Sequence, residues 1–194
     1  MRIGLFGGTF DPIHIAHLIV AETVRSDFSL DRIFFIPAAL PPHKGRKRLT
    51  PIRARLEMLH LAVEGQSGFF VSDVEMQRGE VSYTIDTVRW FQEREEWAGD
   101  DFYLILGGDS LLELGTWKDP EQILDTIPIL VVRRPGFDMD RVEERFLKRV
   151  VFVNAPFVAI SSTEIRQRVH EGKSIRYWVP DKVEAYIRRE GLYL

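Results

Sequence analysis

Short apolar runs alternate with amphipathic segments along the whole chain. The first run, Ile3–Phe6, has the length and composition of a buried strand. Runs of the same kind predict five more strands, at Ile33–Ile36, Phe69–Val71, Phe102–Leu106, Ile129–Val132 and Val150–Val153.

Between these runs, apolar residues recur at the three- and four-residue spacing of an amphipathic helix. The first predicted helix, opened by His14 and His17, carries this pattern at Ile15, Leu18, Ile19 and Val24. Further helices are predicted over Arg53–Val63, Ile85–Arg94, Pro120–Leu124 and Val142–Leu147.

The segment from Ser161 onward is also helical in pattern. Ser161 and Glu164 have the spacing of a capping box. Pro180 is placed to start a last helix, and Gly191 is placed to end it.

This alternation predicts an α/β fold, a Rossmann-like doubly wound parallel sheet with helices on both faces and a short C-terminal helical extension. The 194 residues are enough for one sizeable core. We therefore expect a single domain, residues 1–194, with a core over about 1–160 and the helical part over about 161–194.

Composition excludes several function classes. The chain has no cysteine, which excludes thiol nucleophiles, thiolate–zinc sites and disulfides. Its densest apolar run, Ile127–Val132, is only strand-length, and the N-terminal residues enter a strand rather than a signal-peptide pattern. We expect a cytoplasmic protein without a membrane partner, and the net charge of −3 argues against a nucleic-acid partner.

A polyanionic ligand would need a local positive patch in such a chain. One is predicted between His43 and Arg55, where no acidic residue interrupts the cations Lys44, Arg46, Lys47, Arg48, Arg53 and Arg55. For residues 46–48 a solvated charge run remains the simpler interpretation.

Polar motifs follow the predicted strands along the chain. They are Gly7–His17, Pro41–Lys44, Ser82–Thr84, Gly107–Ser110, Arg133–Gly136 and Ser161–Arg166. The carboxyl ends of parallel strands share one edge of the sheet, and open α/β sheets bind ligands there. Exposed loops are polar in any case, but the loops at the other edge carry no comparable motifs. We therefore expect these segments to converge on one crevice.

The first motif has the elements of a phosphate site. Gly7 and Gly8 allow a sharp turn and close backbone approach, and a helix N-terminus follows. His14 and His17 are three residues apart, so their imidazoles lie on the same side of the first turn. The alternative is an ordinary strand–turn–helix with two surface histidines.

The sequence Gly7-Gly8-Thr9-Phe10-Asp11-Pro12, followed by His14 and His17, resembles the nucleotidyltransferases that share a His-x-Gly-His signature. Ala16 stands where that signature has Gly. Further segments resemble the bacterial nicotinate-nucleotide adenylyltransferases in order and over nearly the whole chain: Pro41–Lys44, Ser82–Thr87, Gly107–Ser110, Thr116-Trp117, Arg134–Gly136, Ile160–Arg166, Tyr177–Pro180 and Gly191–Tyr193. Gly108 departs from the usual Gly-Ala-Asp.

The resemblance implies an enzyme of NAD biosynthesis that joins nicotinate mononucleotide to the AMP part of ATP. The products would be deamido-NAD and pyrophosphate, with Mg²⁺ bound to the substrate. Alternatives are adenylyl transfer to nicotinamide mononucleotide or phosphopantetheine, and a nucleotide-sensing module without turnover. The sequence leaves homo-oligomer formation open.

The resemblance also implies roles for individual residues. His14 and His17 would be catalytic, and no residue would form a dedicated metal site. The ATP-binding residues would be Gly7, Gly8, Thr9, Phe10, His14, His17, Lys44, Gly107, Asp109, Ser162, Thr163 and Arg166. The residues that bind nicotinate mononucleotide would be Thr84, Trp117, Lys118 and Arg134.

Simpler roles compete at four of these places. Asp109 would otherwise be a turn or N-cap residue, and if functional it would hold a ribose hydroxyl or face a cation. Trp117 would otherwise pack in the core. Ser162 and Thr163 would otherwise belong only to a helix cap, and Arg133 competes with Arg134 for phosphate.

Overall fold

The computed structural model describes residues 1–40, 49–133 and 137–194. Within these ranges, all six predicted strands are confirmed, with ends that extend by up to two residues. The strands are β1 (Arg2–Gly8), β2 (Arg32–Pro37), β3 (Phe69–Val71), β4 (Asp101–Gly107), β5 (Ile129–Val132) and β6 (Val150–Val153).

All strand pairs are parallel, in the order β3-β2-β1-β4-β5-β6. The chain builds outward from β1 to β3, then returns to the other side of β1 and builds outward to β6. The order therefore reverses between β1 and β4, where Leu5 pairs with Leu104. Ligands bind at such a switch point in open α/β sheets, and the predicted Rossmann-like doubly wound fold is confirmed.

The described residues form nine α-helices and three short 3₁₀ turns. The helices are α1 (Ile15–Asp27), α2 (Ile52–Val63), α3 (Val74–Arg78), α4 (Thr84–Gln92), α5 (Gly108–Glu113), α6 (Pro120–Thr126), α7 (Glu144–Leu147), α8 (Ser162–His170) and α9 (Asp181–Arg189). The turns are Glu95–Trp97, Leu114–Thr116 and Met139–Arg141.

Most predicted helices are confirmed, but one prediction is wrong at its start. The helix predicted over Val142–Leu147 begins only at Glu144, because Met139–Arg141 forms a 3₁₀ turn and Val142 is extended. The helices α3 and α5 were not predicted. The first has only five residues, and the second begins at Gly108, a residue type that predicts a turn.

Alternate residues of the strands pack on opposite faces of the sheet, as expected for a sheet covered on both sides. Phe6, Ile33 and Phe35 join one core cluster with α1, α2 and α9. Ile3 and Leu5 join the other, with residues of α4 and α6.

Residues after 160 belong to the first of these clusters. Ile165 of α8 and Val183 and Ile187 of α9 are almost fully buried against it. The single domain and its division near residue 160 stay predictions. Within the described ranges, no helix combines the length and the apolar character needed to span a bilayer.

The predicted cap of α8 gives a stability test. Ser161 is the N-cap, and its hydroxyl accepts a hydrogen bond of 3.1 Å from the backbone N–H of Glu164. We expect Ser161→Ala to cost about 1 kcal/mol of unfolding free energy and to lower the Tm by about 3 °C. Thermal unfolding followed by circular dichroism measures this, with Ser67→Ala in an exposed turn as the control. Equal melting of both variants would contradict a stabilising cap.

Candidate active site

Two cavities at the carboxyl edge of the sheet share one stretch of backbone. The histidine cavity, about 320 Å³, is lined by His14, His17, Asp109 and Arg133 among others. The tryptophan cavity, about 190 Å³, is lined by Trp117, Thr84 and Glu75 among others. Both are also bordered by Gly7, Gly8, Thr9 and Ser110. The end of β1, together with Thr9 and Ser110, therefore forms a wall that the two cavities share.

The histidines are paired at the start of α1, as the spacing predicted. His14 is the N-cap residue and is 2% exposed, and His17 lies in the first turn. Their rings stack with centroids 3.6 Å apart at an interplanar angle of 22°. The backbone N–H of His14 donates to Nδ1 of His17 at 3.3 Å. Since Nδ1 accepts this bond, a neutral His17 carries its proton on Nε2 and can donate it.

The side chain of Phe10 packs against the histidine pair. Its backbone is in the left-handed region (φ 47°), and its buried ring meets that of His17 edge-on with centroids 5.1 Å apart. A Cβ on Gly8 would come within 2.8 Å of the Phe10 ring, so this glycine is required by the fold of the loop itself. Gly7 has open space around its Cα and leaves room for a ligand. Ala16 lies in the same cavity wall.

Arg55 holds the loop from the protein interior. It is 1% exposed and donates to the carbonyl of Thr9 at 2.7 Å and to that of Thr50 at 2.9 Å. Burial lowers the pKa of its guanidinium, and the nearby carboxylate of Asp11 opposes that shift. Its inclusion in the predicted positive patch is therefore wrong, because this cation faces backbone carbonyls and not solvent.

The N-terminus of α8 packs against the same loop. Ser162 Oγ donates to the carbonyl of Pro12 at 2.9 Å. Arg166 donates to the carbonyl of Asp11 at 2.7 Å and to Oγ1 of Thr163 at 3.1 Å. These three residues were predicted to bind ATP. They lie beside the loop after β1 and outside the described lining of both cavities.

The β4–α5 junction forms another part of the histidine cavity. Gly107 and Asp109 line it, as expected if they contact the nucleotide. A Cβ on Gly108 would come within 2.6 Å of the Phe137 ring, so an alanine at this position would require that ring to shift. Arg133 also lines this cavity and donates to Oδ1 of Asn154 at 2.9 Å.

The tryptophan cavity brings together the three described residues predicted for the second substrate. Trp117 is half-buried: it packs on the core and also lines the cavity. Thr84 is the first residue of α4, where free N–H groups and the helix dipole favour an anion. Lys118 lies in the wall, but its ammonium is paired with Asp86 at 3.0 Å.

Glu75 is a cavity residue that sequence reasoning missed. It is 7% exposed in α3, and its carboxylate accepts a hydrogen bond of 2.8 Å from Thr87 Oγ1. Beside it, the hydroxyl of Ser82 accepts from the backbone N–H groups of Ala39 and Leu40. Only a correct prediction of α3 would have placed this carboxylate in the cavity wall. That prediction was out of reach because a helix of five residues is too short for a periodic signal.

Two predicted site residues, Lys44 and Arg134, lie outside the described residues. In the part of the chain that is described, no three His, Asp or Glu side chains come together in a way that would hold a metal ion. Of the other predicted residues, Gly7, Gly8, Thr9, Phe10, His14, His17, Gly107 and Asp109 line the histidine cavity, Thr84, Trp117 and Lys118 line the tryptophan cavity, and Ser162, Thr163 and Arg166 line neither.

Other proteins are similar in sequence to this chain over its whole length. The family model "Cytidylyltransferase-like" matches residues 5–168. A protein of Salinibacter ruber with the name "Probable nicotinate-nucleotide adenylyltransferase" is 45% identical over 193 residues, covering 100% of this chain and 98% of its own. A protein of Thermus thermophilus with the same name is 46% identical and covered in full, as is this chain.

The fold is also that of a solved structure. Nicotinic acid mononucleotide adenylyltransferase of Plasmodium falciparum, complexed with NaAD, superposes with a TM-score of 0.82 at 23% identity, over 99% of this chain and 97% of its own. At that identity the likeness shows the fold alone. The full-length similarity to the bacterial relatives confirms the family resemblance of the sequence motifs: the chain belongs to the nicotinate-nucleotide adenylyltransferases, within the cytidylyltransferase-like superfamily.

Proposed function

We propose that this chain transfers the AMP part of ATP to nicotinate mononucleotide, forming deamido-NAD and pyrophosphate. The observation that carries the proposal is the pair of cavities that share the Gly7–Thr9 backbone. Two substrates bound in separate cavities would meet at this shared wall. A one-ligand sensing module would have no need for the second cavity.

The reaction needs no protein nucleophile. The 5′-phosphate of the mononucleotide is largely ionised at neutral pH, because its second pKa is about 6. One of its oxygens attacks the α-phosphorus of ATP in line, the bond from that phosphorus to the β-phosphate oxygen breaks, and pyrophosphate leaves with the electron pair. The protein must align two polyanions and stabilise the charge that develops on the phosphates.

His14 and His17 would act on these phosphates. The N–H on Nε2 of His17 is fixed by the contact at Nδ1, so a donor is oriented before ATP binds. Stacking of the two rings fixes their planes as well. Gly7, Gly8, Thr9 and Phe10 would cradle the nucleotide with their backbone. Such prearranged donors stabilise a transition state without reorganisation during the reaction.

Other residues would bind the rest of ATP. Gly107 and Asp109 line the histidine cavity, where Asp109 is placed either for a ribose hydroxyl or toward a cation. Ser162, Thr163 and Arg166 would reach phosphate from beside the loop, while also holding it. Lys44 at the β/γ end and Arg134 at a phosphate remain predictions from the sequence.

The tryptophan cavity would take the pyridine end of the mononucleotide. Trp117 offers an aromatic face to a cationic pyridinium. Backbone N–H groups at Thr84 and Lys118 would receive the carboxylate. The ammonium of Lys118 is engaged by Asp86, so backbone donors suit this role better than that side chain.

Mg²⁺ would arrive with the triphosphate. This ion is usually held by substrate phosphates and one or two carboxylates. Asp109 is the carboxylate among the described residues of the histidine cavity, and that single group fits a substrate-bound ion better than a resident one. Bound in this way, Mg²⁺ would neutralise part of the pyrophosphate charge.

Substrate preference tests the proposed function. We expect purified protein with ATP and Mg²⁺ to release pyrophosphate with nicotinate mononucleotide, and to do so at least about tenfold more slowly with nicotinamide mononucleotide. The reason is that an amide forfeits a charge-assisted hydrogen bond worth about 1.5–3 kcal/mol. A coupled pyrophosphate assay measures both rates, with phosphopantetheine as a third acceptor.

Each outcome has one meaning. Equal rates with the two mononucleotides would contradict selection by the carboxylate but keep adenylyl transfer. Pyrophosphate release with phosphopantetheine alone would show that phosphopantetheine is the acceptor and nicotinate mononucleotide is not. Tight binding of ATP without pyrophosphate release in the presence of any of the three acceptors would favour the nucleotide-sensing module.

A further inference from the structure

The loop after β1 is also held from the far end of the chain. The hydroxyl of Tyr193 donates to Oδ1 of Asp11 at 2.8 Å, across 182 positions of sequence. The backbone N–H of Thr50 donates to the other oxygen, Oδ2, at 3.2 Å. Asp11 is 3% exposed and lies outside the described lining of both cavities. Its carboxylate therefore faces the protein and not the substrates.

Tyr193 is held in an unusual conformation to make this contact. Its backbone is left-handed (φ 67°), which is costly for a bulky aromatic residue. The turn before it is made by Gly191, also left-handed (φ 60°), and by a hydrogen bond from Leu192 N–H to the carbonyl of Ile187. Burial and the nearby Asp11 raise the pKa of the phenol, so the hydroxyl keeps its proton and remains a donor.

We propose that Tyr193 is a positioning residue of the adenylyl transfer, acting through Asp11 on the backbone that carries the phosphate-binding groups. Asp11 follows Thr9 and Phe10 directly and precedes His14 by three residues. Arg166 fixes the carbonyl of the same residue at 2.7 Å. Asp11 is thus bonded on both its side chain and its main chain, and Tyr193 supplies one hydrogen bond to the carboxylate while the backbone of Thr50 supplies another. The inference rests on the proposed function.

The test is Tyr193→Phe, which removes one oxygen and keeps the ring. We expect kcat to fall about tenfold while the KM values of both substrates stay within about twofold, because the loop must be aligned most closely in the transition state. Tyr177→Phe is the matched control, since Tyr177 is also left-handed (φ 66°) but 73% exposed. Turnover is compared at a temperature where circular dichroism shows every variant fully folded.

A second measurement separates positioning from general stability. We expect the imidazole C–H NMR signals of His14 and His17 to shift in Tyr193→Phe and to stay in place in Tyr177→Phe, with exposed His170 as the internal reference. We also expect Tyr193→Phe combined with Asp11→Asn to lose no more turnover than the more damaging single change, because coupled groups are not additive.

Three results would overturn the inference: kcat within twofold of the parent in Tyr193→Phe, histidine signals that do not move, or additive losses in the double variant. Failure of the proposed function is a separate result. In that case the parent chain itself would release no pyrophosphate from ATP and nicotinate mononucleotide.

Discussion

His17→Ala should lower kcat by about 10²–10³ while the fold remains intact. Removing one prearranged donor to a charged transition state typically costs this much. In His17 the donor is the Nε2 proton, oriented by the bond from His14 N–H to Nδ1 and by the stacked ring of His14. The KM values should change much less than kcat, because the donor matters most as charge develops.

Steady-state kinetics with the coupled pyrophosphate assay measure this effect. His60→Ala is the matched control, since His60 is exposed on α2 and belongs to neither cavity. A folded His17→Ala protein with near-normal turnover would remove the histidine pair from the mechanism. Equal losses in both variants would point to a general effect of the substitution.

Trp117→Ala should raise the KM of nicotinate mononucleotide about thirtyfold, equivalent to about 2 kcal/mol of lost stacking and cation–π attraction. The side chain is half-buried in the wall of the tryptophan cavity, and the histidine cavity does not include it among its described residues. The KM of ATP should therefore stay within about twofold. The informative quantity is the increase in the KM of nicotinate mononucleotide relative to any increase in the KM of ATP.

The conservative variant Trp117→Phe keeps an aromatic face and should recover most of the affinity for the mononucleotide. Titrating each substrate at saturating concentrations of the other gives the two KM values. An unchanged mononucleotide KM in Trp117→Ala would leave this residue with its packing role alone. Equal increases for both substrates would indicate collapse of the cavity edge.

Periodicity located the sheet well because parallel strands covered on both faces are continuous apolar runs. It failed where an element was short or began with glycine, as in α3 and α5. The start of the helix near Val142 was wrong because a charged 3₁₀ turn precedes it. Such boundaries depend on local capping and on tertiary contacts, which periodicity does not contain.

The polar groups of the site divide in the same way. Residues directly after strands could be placed at one edge, because topology alone brings them together. Arg55 and Glu75 could not be placed at the site from the sequence, because their partners are brought to them by the tertiary structure. One signal was present for Arg55, which interrupts the apolar stripe that Leu59 and Val63 continue on α2. Tyr193 carries no such signal, since its partner is at the opposite end of the sequence.

The shared wall between the two cavities also bears on how acceptor choice can change. Only Gly7, Gly8, Thr9 and Ser110 border both cavities among the described residues. Trp117 and Thr84 line the tryptophan cavity and are not among the described residues that line the histidine cavity. If the tryptophan cavity takes the acceptor and the histidine cavity takes ATP, as proposed, acceptor specificity is modular in this architecture: it can diverge, or be redesigned, while the lining of the histidine cavity is kept.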